Sequence, residues 1–244
     1  MAGPKRTISE EDREAARSDL SRWVPRTELG RKVKNGEITT LHDVISLAIP
    51  IKEVELVDKL ISEMSEEIIN VGRVQRVTDS GRRMRFRVVM AVGNKNGFVG
   101  VGEATGKEAG PTIRKAIARA TMNIKEVKRG CGSWECACKT PHTVPFKVIG
   151  KEGSVRVSLS PAPKGTGLVS GEIAKKIMSL AGIKDVWVHT EGHPRTSINF
   201  AHAVVDALIN TNNVKIGGDA VASLGIVEGM SSVKEDGKAE QVQQ

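Results

Sequence analysis

Every second residue from Met84 to Val92 is apolar, and this pattern restricts the fold more than any other part of the sequence. The apolar positions are Met84, Phe86, Val88, Met90 and Val92, and three of the positions beside them are Arg83, Arg85 and Arg87. Successive side chains of a β-strand point to opposite faces, so the segment predicts a strand with one apolar and one basic face. A shift of one residue would bury the three arginines, so the register is well specified.

This strand is predicted to be the second of three in a small sheet. Strand-forming residues precede it at 68–77, and the turn residues Asp79-Ser80-Gly81 between the two segments are typical of a β-hairpin. A third strand is expected at 98–104. There Gly100 and Gly102 share one face and would let a helix approach the sheet closely.

A helix is predicted after the third strand. Pro111 suits the first turn of a helix, and apolar residues recur at helical spacing up to about Arg129. The apolar positions are Ile113, Ala116, Ile117, Ala120, Ile124 and Val127. The sequence therefore predicts a β-β-β-α domain over residues 66–130, with the helix covering one face of the sheet.

The positive charge is concentrated in the same part of the chain. Residues 70–139 carry 15 Lys and Arg against 5 Asp and Glu, whereas the whole chain of 244 residues has a net charge of +8. The flanking segments, 1–69 and 140–244, have net charges of −3 and +1. A basic excess confined to one segment predicts a surface that binds a polyanion, and nucleic acid is the first partner to consider.

Phosphate contacts are expected to dominate this binding, since aromatic residues make up only 3% of the chain and tyrosine is absent. Residues 70–92 contain six arginines and one acidic residue, Asp79. A solvated surface is the alternative, but ordinary surfaces mix both charges. The residues predicted to bind RNA are Arg73, Arg76, Arg82, Arg83, Arg85, Arg87, Lys95, Arg114, Lys115, Arg119 and Lys164.

The rest of the chain divides into four further parts. These are an N-terminal extension at 1–65, a cysteine-containing connector at 131–145, a C-terminal α/β domain at 146–220, and a polar tail at 221–244 that is expected to be disordered. Within the extension, helices are predicted at 10–20 and 52–64, the second from a clear apolar stripe.

Three cysteines and a histidine lie close together in the connector, with the spacing Cys131-x4-Cys136-x-Cys138-x3-His142. An odd number of crowded cysteines does not make a disulfide framework and suits a reducing compartment. Thiolate and imidazole are the ligands that Zn²⁺ prefers, but the spacing differs from the usual pair of C-x-x-C motifs. The pattern favours free thiols, and a structural zinc site is the alternative.

The segment Pro161–Leu168 is rich in proline and glycine and precedes a predicted helix, an arrangement that can hold a phosphate. It lacks the P-loop spacing. A small-molecule kinase would also need a carboxylate, and Asp185, Asp206 and Asp219 sit in no recognisable setting. An RNA phosphate contact or a plain turn is favoured, and the chain is not expected to be an enzyme.

Membrane and secretory roles are not expected. No apolar run reaches the roughly 18 residues that a membrane span needs, and the first residues lack the apolar core of a secretory signal. The sequence therefore predicts a cytoplasmic protein.

The order of several motifs resembles the universal family of small-subunit ribosomal protein five. The resemblance covers about residues 66–212. The N-terminal extension is similar to that of the archaeal and eukaryotic branch rather than the bacterial one, and the three cysteines point to the archaeal side. The motifs are Gly72-Arg-Val-Gln-Arg-Val77, Gly93-Asn-Lys-Asn-Gly-Phe-Val-Gly-Val-Gly102, Pro111-Thr-Ile-Arg-Lys-Ala-Ile-Ala-Arg-Ala120, Pro161-Ala-Pro-Lys-Gly-Thr-Gly-Leu-Val169 and Ala181-Gly-Ile-Lys-Asp185.

The resemblance implies an α+β fold, with a double-stranded-RNA-binding-like β-β-β-α domain followed by an α/β domain that contains a left-handed β-α-β crossover. It implies a structural constituent of the small ribosomal subunit that binds ribosomal RNA where head meets body, near the path by which messenger RNA enters. Contacts with ribosomal proteins four and eight, and a contribution to subunit assembly and translational accuracy, are further implications. The hairpin loop at 78–83 would reach toward the RNA of the neck and head. A free-standing RNA-binding protein or a kinase is the competing class.

Overall fold

The computed structural model describes residues 23–61, 63–136 and 138–229, so the helix predicted at 10–20 lies outside the described residues. The helices are α1 (Glu28–Asn35), α2 (Leu41–Ser46), α3 (Val54–Leu60), α4 (Ala109–Met122), α5 (Glu172–Ala181), α6 (Ser197–Ile209) and α7 (Gly218–Leu224). The strands are β1 (Ser65–Thr78), β2 (Gly81–Gly93), β3 (Phe98–Gly106), β4 (Lys125–Glu126), β5 (Val148–Glu152), β6 (Val155–Pro161), β7 (Leu168–Val169) and β8 (Val186–Glu191).

The first sheet is antiparallel, with strand order β1-β2-β3-β4. The predicted hairpin is present. It runs from the pair Ser65 and Gly93 at its base to the pair Thr78 and Gly81 at its turn, with an irregularity between Ile68 and Asn70. The predicted third strand is β3, which pairs with β2 only from Phe86 onward. β3 therefore does not extend along the part of the hairpin nearer its turn.

Helix α4 covers one face of this sheet, as predicted. A Cβ atom added to Gly100 would lie 2.2 Å from the Ala120 carbonyl oxygen, and one added to Gly102 would lie 2.3 Å from the Ala120 nitrogen. Val88 and Met90 are buried beneath the same helix. The two glycines thus allow the close helix–sheet contact that their alternation indicated.

The predicted end of this helix at Arg129 is wrong, because α4 stops at Met122. The chain then becomes extended, and Lys125 and Glu126 pair with β3 as strand β4. Arg129 lies beyond the helix and is buried, and its Nη2 donates to Asn96 Oδ1 at 2.5 Å. Its burial lowers the pKa of the Arg129 guanidinium.

The second sheet has the order β5-β6-β8-β7 and is antiparallel except for the parallel pair of β7 and β8. Helix α5 joins these two parallel strands, which gives the domain its β-α-β crossover. Helices α5 and α6 cover the inner face, and Val155, Val157 and Leu159 of β6 are buried against them. The outer face keeps Ile149, Val169 and Trp187 exposed.

The two sheets share one core. Val89 and Ala91 of β2 belong to the same buried cluster as Ile177 and Leu180 of α5. The C-terminal end of α5 also meets the turn after β2, where the Lys95 amide donates to the Leu180 carbonyl at 2.8 Å. The second domain therefore covers the basic face of β2 at its Val89 and Ala91 end. The end of that face near the hairpin turn stays exposed.

The described part of the N-terminal extension is folded against the first sheet. Its apolar residues, including Trp23 and Val44, form a cluster with Phe98 and Ile124. Glu53 holds residues 23–27 in place. Its carboxylate accepts hydrogen bonds from Trp23 Nε1 at 3.0 Å and from the Thr27 amide at 2.6 Å. The helix predicted at 52–64 is shorter than expected, since α3 ends at Leu60.

The disordered tail expected at 221–244 is wrong for its first nine residues. Helix α7 continues to Leu224, and Val227 exchanges backbone hydrogen bonds with Arg129 at 2.8 and 3.1 Å. The prediction for residues 230–244 lies outside the described residues. Within the described ranges, no helix has the length and apolar character needed to cross a membrane.

Candidate nucleic-acid interface

The hairpin extends beyond the body of the sheet as a two-stranded arm, which we define as residues 73–85. Side chains on both of its faces are exposed, including Val77 at 72% on one face and Val74 at 38% on the other. The predicted apolar face of β2 is thus buried only from Val88 onward, where α4 covers it. The arm offers a partner two accessible faces.

The strand register divides the arginines of the arm between these faces. Arg76 lies directly opposite Arg83, and Arg85 lies opposite Val74, so the three arginines share one face. They line a shallow groove together with Val74, Gln75 and Thr78. Arg73 and Arg82 lie on the other face, the one that α4 covers further along the sheet. Like charges directly across a strand pair are destabilising, and an anion bound between them would relieve that repulsion.

Arg87 differs from the other five arginines of the hairpin. Its Nη2 lies 2.6 Å from Glu103 Oε2, and both side chains are partly exposed. In the part of the chain that the structure describes, none of the remaining five forms an ion pair. The sequence grouped Arg87 with Arg83 and Arg85, but its charge is already compensated by a carboxylate 16 residues away.

The predicted basic residues of α4 lie on the opposite side of the sheet from Arg83 and Arg85. Arg114, Lys115 and Arg119 are exposed, and Arg119 Nη1 donates to the Glu103 carbonyl at 2.8 Å. Lys115 lines a shallow groove at the start of α4 together with Lys107. Sequence reasoning missed Lys107, because it precedes the helix as a single cation outside any periodic pattern.

Two predicted residues lie away from the arm. Lys95 is exposed in the turn between β2 and β3, at the end of the sheet opposite the hairpin turn, with a left-handed φ of +57°. Lys164 is exposed on the loop between β6 and β7 in the second domain. The predicted RNA-binding residues therefore do not form one continuous patch, and the arm is where they are densest.

The loop that carries Lys164 is not shaped as a phosphate cradle. The amides of Gly165 and Gly167 donate to Asp185 Oδ1 at 3.0 and 2.8 Å, and the Thr166 amide donates to the Pro163 carbonyl. The backbone donors that would hold a phosphate are thus already used within the protein. No pattern in the sequence indicated a role for Asp185, whereas the structure shows that its carboxylate holds this loop through the amides of Gly165 and Gly167.

The connector brings its cysteines and histidine together. One ligand atom from each of Cys131, Cys136, Cys138 and His142 lies within 4.8 Å of all the others. The Sγ atoms of Cys131 and Cys138 are 3.4 Å apart, and Cys136 Sγ is 3.9 Å from His142 Nε2. His142 Nδ1 lies 2.8 Å from Asp185 Oδ2, and both side chains are buried. The cluster therefore contacts the loop through Asp185.

The thiols of the cluster have unequal acidity. Burial raises the pKa of Cys131. Burial acts in the same direction on Cys138, but hydrogen bonds with Thr140 and with the thiols of Cys136 and Cys131 outweigh it and lower its pKa to about 6. A low pKa gives a thiol thiolate character near neutral pH.

Two family models match the chain. The model described as Ribosomal protein S5, N-terminal domain, matches residues 64–128, and that of Ribosomal protein S5, C-terminal domain, matches residues 150–222. The first model spans the sheet with the arginine arm and α4. The second spans most of the second sheet with α5 and α6.

Curated relatives match over most of their length and are named Small ribosomal subunit protein uS5. The relative from Picrophilus torridus is 54% identical over 194 residues, which is 80% of this chain and 88% of the relative. Those from Methanocaldococcus jannaschii and Methanospirillum hungatei are 51% identical over 213 residues and 50% identical over 200 residues. These two matches cover 87% and 82% of this chain and 98% of each relative.

Proposed function

Since the chain belongs to the ribosomal protein S5 family, of archaeal type, we propose that its arginine arm holds it on ribosomal RNA at the junction of the head and body of the small subunit. Membership in this family makes the chain a structural component of the small ribosomal subunit, in the cytoplasm, and not an enzyme.

The observation that carries the proposal is the state of the five arginines at 73, 76, 82, 83 and 85. All five are exposed, and within the described residues none is paired with a carboxylate. Guanidinium groups bind phosphate through two parallel hydrogen bonds, and free ones release the most counterions on binding. RNA helices are recognised mainly through phosphates and 2′-hydroxyls, which suits a chain with few aromatic residues.

The division of these arginines between two faces supports a position between two RNA segments. Arg76, Arg83 and Arg85 would contact one segment, and Arg73 and Arg82 the other. A narrow strand pair with cations on both faces fits a cleft whose walls both carry phosphate. We place that cleft at the head–body junction of the subunit, with the hairpin loop at 78–83 reaching toward the neck and head RNA.

Protein partners are proposed for the nearly neutral surfaces. The outer face of the second sheet keeps Ile149, Val169 and Trp187 exposed, with side chains of 56%, 50% and 40% exposure. Exposed apolar residues that share one sheet face suit a protein–protein contact better than an RNA contact. We assign ribosomal proteins four and eight to surfaces of this kind, outside the arm.

A role in subunit assembly and in accurate decoding follows from this position. A protein that bridges head and body near the path of incoming messenger RNA restrains their relative movement. The contact with ribosomal protein four is the proposed link to decoding accuracy. The groove beside Lys107 and Lys115 lies on the side of the sheet covered by α4 and is a further candidate for RNA phosphate.

Sedimentation of tagged chain from cell lysates tests the proposal. Wild-type protein is expected in the small-subunit fractions, and a triple variant with Arg76→Ala, Arg83→Ala and Arg85→Ala is expected to leave these fractions at a lower salt concentration. The matched control removes three exposed lysines outside both the arm and the outer face of the second sheet by Lys52→Ala, Lys175→Ala and Lys215→Ala. Release of the arm variant at the same salt concentration as wild type would contradict docking through the arm.

A further inference from the structure

We propose that Cys131, Cys136, Cys138 and His142 bind one zinc ion as a structural Cys₃His site. The four ligand atoms all lie within 4.8 Å of one another. Tetrahedral zinc with bonds of about 2.0 to 2.3 Å places its ligand atoms roughly 3.5 to 3.8 Å apart. The observed separations of 3.4 Å and 3.9 Å for two of the pairs lie close to this range.

The histidine is held in the orientation that a zinc ligand needs. His142 Nδ1 lies 2.8 Å from Asp185 Oδ2, which assigns the ring proton to Nδ1 and leaves the lone pair of Nε2 directed toward the cysteines. A carboxylate that accepts from the far nitrogen of the ring is the usual support of a zinc-bound histidine. Asp185 is itself fixed, because its other oxygen accepts from two loop amides.

The backbone of the connector supports a closed site. The Cys131 amide donates to the Leu224 carbonyl at 2.8 Å, and Gly130 pairs with Thr143, so both ends of the ligand segment are anchored. A Cβ added to Gly132 would lie 2.1 Å from the Pro145 carbonyl oxygen. This tight approach folds the segment back on itself, and it explains how an irregular spacing still converges on one point.

A structural metal fits the composition of this region better than free thiols do. From residue 131 to 142, Trp134 is 90% exposed and Cys131 is the only buried apolar residue among those described. A segment with so little apolar surface gains little from burial, whereas a metal bound only by the folded state stabilises that state directly. Three cysteines and one histidine are a donor set that selects zinc. Binding would release the thiol protons to solvent.

The metal would also stabilise the loop that carries Lys164. The connection runs from His142 to Asp185 and from Asp185 to the amides of Gly165 and Gly167. Loss of the metal would free the His142 ring and weaken the fixed position of Asp185. We therefore expect the amides of residues 165 and 167 to exchange faster in metal-free protein.

The test is the metal content and thiol reactivity of the purified full-length chain, prepared without chelators. We expect about one zinc per chain and slow reaction of the three thiols, with fast reaction after chelation. Replacement of zinc by Co²⁺ should give the intense visible bands of a tetrahedral thiolate site. His142→Asn and Cys136→Ser should each lower the zinc content, and His189→Asn, which changes an exposed histidine, should not.

Asp185→Asn should lower the zinc affinity by about 10- to 100-fold. This is the typical loss when the carboxylate that supports a metal-bound histidine is removed. Three results would overturn the proposal: native protein with less than a tenth of an equivalent of metal and freely reactive thiols, a disulfide between Cys131 and Cys138, or stoichiometric iron. If a ligand variant does not fold, chelation of wild-type protein with thiol titration still decides between these outcomes.

Discussion

Arg87 and Glu103 form an ion pair across neighbouring strands, with 2.6 Å between Arg87 Nη2 and Glu103 Oε2. Both side chains are partly exposed, so the pair contributes at most about 1 kcal/mol to stability. Its larger consequence is functional, because a guanidinium already bound to a carboxylate is less available to phosphate. The pair thus marks the boundary between the arm that is free to bind RNA and the part of the sheet that packs within the protein.

Arg87→Ala should therefore weaken RNA binding less than Arg85→Ala, although both remove one charge from the same strand face. Binding to small-subunit ribosomal RNA at fixed salt concentration measures the difference. Glu103→Gln should partly release Arg87 and strengthen binding. Equal losses of RNA affinity in the two alanine variants would show that the ion pair does not reduce the contribution of Arg87 to binding.

Gly102→Ala should destabilise the first domain, because its Cβ would lie 2.3 Å from the Ala120 nitrogen and 2.7 Å from the Ala116 carbonyl oxygen. Backbone atoms of α4 cannot move aside singly, so the cost is expected to be about 1 to 3 kcal/mol or more. Thermal unfolding measures it. Gly72→Ala is the matched control, since a Cβ there meets nothing within 4 Å and should leave stability unchanged.

The pair of His42 and Glu126 should make stability depend on pH. A hydrogen bond and the charge of Glu126 raise the pKa of His42 above its ordinary value of 6.5, against the opposing effect of burial. The folded state thus binds the proton more tightly than the unfolded state. The stabilisation is complete below pH 6.5 and is lost as pH rises through the folded pKa of His42.

Unfolding free energies of the wild-type chain and of His42→Gln, measured between pH 5 and 9, test this pH dependence. The difference in unfolding free energy between wild type and variant should shrink as pH increases across that window. The His42 side chain is half exposed, so the effect is expected to be small. A difference that grows with pH would mean that the contact does not favour the charged imidazole.

The hairpin was predictable from sequence because its signal is local. Apolar residues at every second position and a turn at Asp79–Gly81 specify two paired strands without information from elsewhere in the chain. The end of α4 was not predictable in the same way. Ile124 and Val127 continue the helical spacing, but pairing of Lys125 and Glu126 with β3 replaces the helix there. Tertiary pairing outweighed a local pattern.

The site was predictable only in part. The sequence identified the arginines and the cysteines, since clusters of one residue type stand out from composition alone. It did not identify the partners that decide their roles. Glu103 is 16 residues from Arg87, and Asp185 is 43 residues from His142. Such contacts depend on how the two sheets and the connector meet, and no spacing in the sequence encodes them.

The most direct test of RNA docking through the arm is the salt dependence of binding to small-subunit ribosomal RNA. Each lost phosphate contact should reduce the slope of log K against log salt by about 0.7 to 0.9. The triple variant with Arg76→Ala, Arg83→Ala and Arg85→Ala is therefore expected to show a slope smaller by about 2 to 3. A slope equal to that of the wild-type chain would contradict the account, whatever the change in affinity.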